Sequence, residues 1–464
     1  MSHYEKLTCD LIYHYYALNN NFAMLLARYY MPTHSIVTAI DLGTDKCATL
    51  IATIDEGQKL QVLGVSVVSS RGMRKSQIID LEKVLDTITQ SLDGAERMAG
   101  LEVKSAYVSV GGTHIQSLNS KGVVAVASPQ QEITRSDVDR VTEAARAVSL
   151  PSDRQIIHVI PNAYKVDSQE GIKDPVGMTG VRLESEAHII TGLNTTLINI
   201  EKCLTDLGLQ VDGFVFSGLA AADVTLTETE KELGVALVDI GAGSTSICAY
   251  QEGSLVFSAS LPVGARHITQ DIALGCRVSL ETAEKIKISL SDEALDAQKP
   301  LPGESKEDFG SRKKKQDTLR LQDFGLVDGS DEVLSKKAIS EGIMIPRMQE
   351  IFSLIEKALD DAGILDEIPA GLVLTGGGAS TQDMASVGKK ELRVAVRVGE
   401  PTVLSGLTND IHKPSFATAI GLLEFGKKLG GSTQKRSFSL KGLPSFNLGG
   451  VFSSVKRLLS SLLP

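Results

Sequence analysis

Two runs of this chain share one layout. AIDLGTDKCATLIA at 39–52 and ALVDIGAGSTSICAY at 236–250 each bring an apolar stretch into Asp-x-Gly, pass a small hydroxylated turn and return as a second apolar stretch. That is the pattern of a β-hairpin with a tight tip. A single such hairpin has an ordinary explanation, because Asp-Gly turns are common in β-structure. A pair implies two facing lobes, each presenting a tip able to hold a polyphosphate.

The residue types at the tips suit that chemistry. Asp41 and Asp239 close the incoming strands as carboxylates, set back from the phosphates but able to hold water around a magnesium ion. Gly43, Gly241 and Gly243 lack a Cβ, so backbone N–H groups can approach phosphate oxygens. Thr44, Ser244 and Thr245 add hydroxyl donors, and Lys46 offers a point charge for the β/γ end of a nucleotide. A third glycine cluster, GLVLTGGGAS at 371–380, reads as a buried strand ending in Gly376, Gly377 and Gly378 and then a helix start, which lets backbone lie against a nucleoside or its α-phosphate. Taken alone, that cluster is equally an ordinary strand-to-helix turn.

In order and spacing these three elements resemble the phosphate-1, phosphate-2 and adenosine motifs of the actin, sugar-kinase and heat-shock-chaperone ATPase superfamily. The resemblance implies an α/β fold of two ribonuclease-H-like lobes, mixed sheets flanked by helices, with ATP and Mg2+ between them. Glu284 and Lys287, three residues apart on one helix face, are similar to the superfamily's Glu-x-x-Lys pair beside adenine and ribose, although an exposed ion pair would look the same.

Composition agrees with a globular protein of two or more domains: 464 residues, 42% of them hydrophobic. A net charge of −10 argues against nucleic acid as a principal partner. The cysteines, Cys9, Cys47, Cys203, Cys248 and Cys276, are odd in number and scattered, which fits reduced cytoplasmic thiols rather than a disulfide or zinc framework. No apolar run is long enough to span a bilayer. Residues 1–35 look foreign to the rest, holding Tyr4, Tyr13, Tyr15, Tyr16, Tyr29 and Tyr30 but no secretory-signal pattern. They are expected to be a disordered extension, either a dispensable appendage or the product of an upstream-assigned start.

Further along, the resemblance narrows. SRGMRKSQIIDLE at 70–82, HVIPNAYKVDSQEGIKDPVGMTGVRLE at 158–184, SGLAAADVTLTETEKELG at 217–234 and LPVGARHITQDIA at 261–273 are similar to the FtsA family of bacterial actin-like division proteins. Residues 103–192, which read as strand, helix, strand, loop and strand, match the α+β subdomain that this family inserts in its first lobe. The implied organisation is a lobe-one core at 36–102 and 193–231 and the insert at 103–192. A lobe-two core follows at 232–265 and 345–426, with a small subdomain at 266–344 that carries a mobile hydrophilic loop at 291–332. By the same resemblance the C-terminal peptide of the tubulin-like FtsZ docks on the small subdomain, where Arg347 is the candidate contact for an acidic tail; a structural surface arginine is the plain alternative. The insert would serve self-association into filaments and contacts with other division proteins.

The C-terminus stands on its own physics. Residues 427–450 form a Gly/Ser/Lys linker without apolar periodicity. The chain then closes on VFSSVKRLLSSLLP at 451–464, where about 100° per residue gathers Val451, Phe452, Val455, Leu458, Leu459, Leu462 and Leu463 in one arc. Lys456 and Arg457 stand opposite with serines. Such a helix can dock on its own domain. The long tether and basic polar face favour the headgroup layer of an anionic membrane, reversibly and with avidity if many copies assemble.

The resulting expectation is an actin-like, ATP-binding division protein that polymerises on the cytoplasmic face of the cell membrane at the division site, as a peripheral protein, and anchors the FtsZ ring. None of the named residues is an obvious base for positioning water, so turnover is expected to be slow at most. Two alternatives stay open, a PilM-like actin-fold scaffold and a small-molecule kinase of the same superfamily.

Overall fold

The computed structural model describes residues 35–55, 57–127, 132–293, 317–324, 333–402, 405–406 and 411–433. Most of the N-terminal extension, most of the 291–332 run, the linker beyond 433 and the amphipathic segment 451–464 lie outside the described residues. The chain divides into a unit Met1–Lys427 and a unit Lys428–Pro464. In the second, only residues 428–433, the last of a helix, are described.

The first sheet begins with the hairpin β1 (Ser35–Leu42) and β2 (Lys46–Ile54), extended antiparallel by β3 (Leu60–Ser69). Helix α1 (Leu81–Ala99) starts where the Asp80 carboxylate accepts from the Lys83 N–H and stops at Gly100, in the left-handed region at φ 69°. Its buried residues Val84, Ile88, Leu92 and Ala95 recur at three and four, so one face covers the sheet. Strand β4 (Ser105–Val110) then pairs in parallel with β1.

After β4 the chain leaves to build the insert: β5 (Gln116–Ala125), α2 (Arg135–Arg146), β6 (Arg154–Val166), β7 (Gln169–Ile172) and β8 (Arg182–Leu193). Among the described residues these strands form an antiparallel sheet in the order β5-β8-β6-β7. Its own small core comprises Ile133, Val138, Val141, Val166, Ile172 and Leu183. The boundary expected at 103 falls later, because β4 belongs to the first sheet, where Tyr107 pairs with Ala39.

Helix α3 (Asn194–Asp206) returns the chain to β9 (Gln210–Phe216), parallel to β4. The order is then β9-β4-β1-β2-β3, with the short strand Ser405–Gly406 beside β3. Helices α4 (Ser217–Thr225) and α5 (Glu228–Leu233) lead to the second sheet, made of β10 (Val235–Ile240), β11 (Thr245–Gln251) and β12 (Ser254–Leu261). Helices α6 (Ala265–Cys276), α7 (Leu280–Glu293) and α8 (Ile345–Asp361) follow, then β13 (Leu372–Thr375), α9 (Met384–Leu392), β14 (Val396–Val398) and α10 (Ala417–Thr433).

The second sheet runs β14-β13-β10-β11-β12, with β13 parallel to β10 and β14 parallel to β13. Strand for strand this repeats the first sheet. The duplication seen in two short sequence runs therefore extends to both whole sheets.

Helices α4 and α10 join the two halves. Ala220, Ala221, Ala222, Ile420, Leu422 and Leu423 share one buried cluster with β1 and with Val235 and Leu237 of β10. The helices approach so closely that a Cβ on Gly421 would fall 1.8 Å from the Ala220 carbonyl oxygen. Only glycine is tolerated there without moving a backbone.

Helices α6 and α7 are separate: Arg277 caps α6 in the left-handed region at φ 54°, and Ser279 opens α7 by accepting the Thr282 N–H. One expectation is corrected. Part of the hydrophilic 291–332 run is built into the fold. Thr318–Arg320 pairs with Val333–Ser335, and Leu319 and Leu321 are buried in the second core.

Candidate functional site

The two hairpin turns are the same turn. The Gly43 N–H donates to the Lys46 carbonyl at 3.0 Å, and the Gly241 N–H donates to the Ser244 carbonyl at 3.0 Å. A Cβ on either glycine would lie 2.9 Å from that accepting oxygen. Asp41 pairs across its hairpin with Ala48, and Asp239 with Ser246. The tips meet, since a Cβ on Gly243 would fall 2.7 Å from Thr44 Oγ1.

Behind the tips lies a cleft of about 750 Å³ lined by Asp41, Gly43, Thr44 and Lys46 from the first hairpin and by Asp239, Gly241, Gly243 and Ser244 from the second. Gly376, Gly377, Gly378, Glu284 and Lys287 line the same cleft. Thr245 does not. It is fully buried and its hydroxyl donates to the Val263 carbonyl at 2.8 Å, because strand alternation turns it to the opposite side from Ser244. The third glycine cluster also differs from expectation. Gly377–Ser380 is a single 3-10 turn, and α9 begins only at Met384.

The electrostatics centre on the two carboxylates. Ser109 Oγ donates to Asp41 Oδ1 at 2.7 Å while accepting the Leu42 N–H at 3.0 Å. Thr418 Oγ1 donates to Asp239 Oδ2 at 3.2 Å. Burial raises the pKa of both, and the neighbouring Asp41 charge helps push Asp239 up to about 6. Lys46 is driven the other way by burial, against the attraction of Asp41 and Asp239. Its ammonium donates to the Ser415 carbonyl and stands 4.1 Å from the centre of the Phe416 ring.

Gly376 makes the third contact with Asp239. At φ 81°, it sits so close that a Cβ would fall 2.2 Å from Asp239 Oδ1. Across the cleft, Glu284 Oε2 accepts from Lys287 Nζ at 2.8 Å and from Thr269 Oγ1 at 2.5 Å.

Two carboxylates cannot saturate a divalent cation. Among the described residues no group of three or more His, Cys, Asp or Glu converges. The pair fits a magnesium ion only if phosphate oxygens and water supply the remaining ligands. Cations, tip hydroxyls and glycines around that pair suit a polyphosphate. Among the described residues that line the cleft there is no Gln or His.

Several cleft residues were not anticipated from the sequence. Ser109 and Thr418 steady the carboxylates. Ser217 and Ser246 bridge the halves at 2.9 Å, and Ser76 and Ser244 at 2.8 Å. Apart from Ser244 and Ser246, which lie on the second hairpin, each is a plain serine or threonine without a local pattern, brought in from a distant part of the chain. Ser76 and Ser217 fall in the stretches at 70–82 and 217–234 that resemble the family, but nothing in those stretches marks either as a cleft residue.

Arg347 stands on α8 and pairs with α6 through Nε to Asp271 Oδ2 at 2.5 Å and Nη2 to Asp271 Oδ1 at 3.1 Å, and it also bonds Glu350. These ion pairs are partly exposed, so the guanidinium stays in reach of solvent. The residues proposed for lipid contact, Phe452, Val455, Lys456, Arg457, Leu458, Leu459, Leu462 and Leu463, lie outside the described residues. Among the described residues no helix is long and apolar enough to cross a membrane.

Comparison with known proteins decides the lineage. Residues 112–191 match the SHS2 domain inserted in FTSA, and residues 236–421 match the family described as cell division protein FtsA. The cell division protein FtsA of Pseudomonas aeruginosa strain PAO1 is 36% identical over 391 residues, covering 84% of this chain and 89% of that protein. This chain belongs to the FtsA family. The FtsA of Bacillus subtilis strain 168 is 33% identical over 408 residues, covering 86% of this chain and 87% of that one. Among solved structures, a PilM-PilN type IV pilus biogenesis complex superposes with a TM-score of 0.57 at 14% identity, covering 84% of this chain and 98% of that one. That likeness concerns the fold alone, an actin-like ATPase architecture carrying the SHS2 insert. The family resemblance and the fold expected from the sequence are thus both met.

Proposed function

We propose that this chain is a nucleotide-governed division protein that polymerises on the cytoplasmic face of the cell membrane and ties FtsZ filaments to it. The single observation that supports this most is the convergence of both hairpin tips and the Gly376 turn on one cleft, in a chain of the FtsA family. ATP with Mg2+ fills that cleft. Asp41 and Asp239 hold the metal's water shell, Lys46 and the tip hydroxyls take the phosphates, and Gly376–Gly378 with Glu284 and Lys287 flank the nucleoside.

Occupancy rather than rapid turnover sets the state of the protein, and slow hydrolysis at most accompanies it. Residues 451–464 lie in the headgroup layer, and each Lys or Arg there contributes about 1 kcal/mol. Polymer and membrane reinforce one another through avidity. The FtsZ C-terminal peptide docks on the small subdomain, with Arg347 as the candidate contact for its acidic residues, and the insert mediates contacts with neighbouring copies and other division proteins.

The test uses the full chain. It should bind a fluorescent ATP analogue in a Mg2+-dependent way and float with vesicles containing phosphatidylglycerol. Deletion of 451–464 should abolish flotation and leave nucleotide binding intact. Nucleotide binding without flotation would favour a PilM-like scaffold, and phosphorylation of small alcohols or acids at enzymatic rates would favour a kinase.

A further inference from the structure

A small hairpin reaches both tips at once. Met73–Arg74 pairs with Gln77–Ile78, Met73 opposite Ile78 and Arg74 opposite Gln77, leaving Lys75 and Ser76 as a two-residue turn. Both turn residues are left-handed, at φ 48° and 59°. A turn of this hand favours Asn-Gly, and a serine in its second position is held against a conformational cost.

The surroundings hold it there. The Ser76 N–H donates to Thr44 Oγ1 at 2.9 Å on the first tip, and Ser76 Oγ lies 2.8 Å from Ser244 Oγ on the second. Glycines wall the turn on two sides: a Cβ on Gly112 would meet the Lys75 carbonyl oxygen at 2.8 Å, and one on Gly243 would meet Lys75 Cα at 3.1 Å. At the hairpin base, the Ile79 N–H donates to the Gly72 carbonyl at 2.8 Å.

Hydrogen-bond arithmetic gives the arrangement a consequence. A hydroxyl has one proton and two lone pairs. The Ser76 N–H fills a lone pair of Thr44, which leaves the Thr44 proton to point elsewhere. If Ser76 Oγ–H likewise donates to Ser244, the Ser244 proton is also freed. We infer that Ser76 is a positioning residue that turns the hydroxyl protons of both tips toward one shared anion, the terminal phosphate of a nucleoside triphosphate. Glycine would satisfy the turn but could not reach Ser244. This inference rests on the nucleotide reading given above and adds to it a residue outside both tips that favours triphosphate over diphosphate.

Titration calorimetry with ATP and with ADP, each with Mg2+, on wild type, Ser76→Gly and Ser76→Ala tests it. Losing the bridging hydroxyl should weaken ATP about 5- to 10-fold in both variants and ADP less than about 2-fold. The ligand-free Ser76→Gly protein should melt at or above the wild-type temperature, since glycine relieves the left-handed turn. That combination separates positioning from a merely structural role, which would lower the melting temperature and weaken both nucleotides alike. Equal losses for ATP and ADP, or unchanged ATP affinity, would overturn the inference while leaving the nucleotide reading in place. A wild-type protein that binds neither nucleotide would remove both.

Discussion

The two hairpins have one backbone and different chemistry. Their turns close with the same hydrogen bond, yet at the same register position the first carries Lys46 and the second Ser244. The carboxylates differ in their support as well. Asp41 is held by Ser109 from the adjacent strand of its own sheet. Asp239 is held by Thr418 of α10 and crowded by Gly376, where β13 ends beside it. A duplicated frame thus supplies two equivalent approaches to an anion, and the tip side chains divide the work: both donate hydroxyl hydrogen bonds, and only the first adds a positive charge.

The largest effect should come from the crowding around Asp239. A methyl group at position 376 must find room 2.2 Å from a carboxylate oxygen and 2.7 Å from the Ile240 carbonyl oxygen, at a left-handed φ. Gly376→Ala should therefore destabilise the protein by about 3 kcal/mol in denaturant unfolding. Its counterpart at the first hairpin, Ser109→Ala, removes a hydrogen bond to a buried carboxylate together with the acceptor of the Leu42 N–H, and should cost about 2 kcal/mol. Equal losses would mean that the two carboxylates are supported alike, against the difference drawn here.

Next comes the charge itself. Lys46→Ala removes the cation beside both carboxylates and should weaken ATP about 30- to 100-fold, whereas Ser244→Ala removes one neutral donor and should weaken it less than about 10-fold. Fluorescent-nucleotide titration of the two variants side by side measures the division of labour. A larger loss for Ser244→Ala would reverse it.

What the sequence disclosed follows the same division. Asp-x-Gly turns are local, so Asp41, Gly43, Asp239, Gly241 and the paired hairpins carrying them were legible. The insert came with the family resemblance. Ser109, Ser76, Ser217 and Thr418 were illegible because each acts through a partner far away in sequence, as in the pairing of Ser76 with Ser244, and a lone serine carries no period. Thr245 was misread for a related reason: the hairpin pattern was visible, but which face each residue takes after the tip depends on the register. The pairing of Arg347 with Asp271 was illegible because Asp271 lies on another helix.

Acid should separate the carboxylates from the rest of the cleft. Burial and the Asp41 charge raise Asp239 to about 6, so below that pH the ligand-free carboxyl takes a proton. Protonation then competes with the metal's water shell, and the Mg2+-dependent part of ATP affinity should fall by up to about tenfold per pH unit below 6. Asp239→Asn should lose the part of that fall that begins near pH 6, leaving only what Asp41 contributes. For stability the sign reverses. A carboxyl raised in the folded state favours folding fully below its unfolded pKa, near 3.9, and this contribution is lost as pH rises through about 6. The ligand-free Asp239→Asn protein should therefore gain over wild type above pH 6 and show no gain near pH 4.

The smallest expected effect bears most directly on the likeness of the frames. Gly43 and Gly241 each face, at 2.9 Å from a would-be Cβ, the carbonyl oxygen that closes their own turn, and neither lies in the left-handed region. An added methyl group needs that oxygen to give by a few tenths of an ångström, which costs about 1 kcal/mol at either site. Gly43→Ala and Gly241→Ala should then lower the unfolding midpoint by nearly the same amount, since the strain arises within the hairpin. The surrounding side chains enter only as a small correction. If one variant proves markedly the more costly, its turn is locked by neighbours such as Thr44, Lys75 or the α6 N–H groups that donate to the Gly241 and Ala242 carbonyls. Backbone equivalence would then end at the hydrogen bond that defines it.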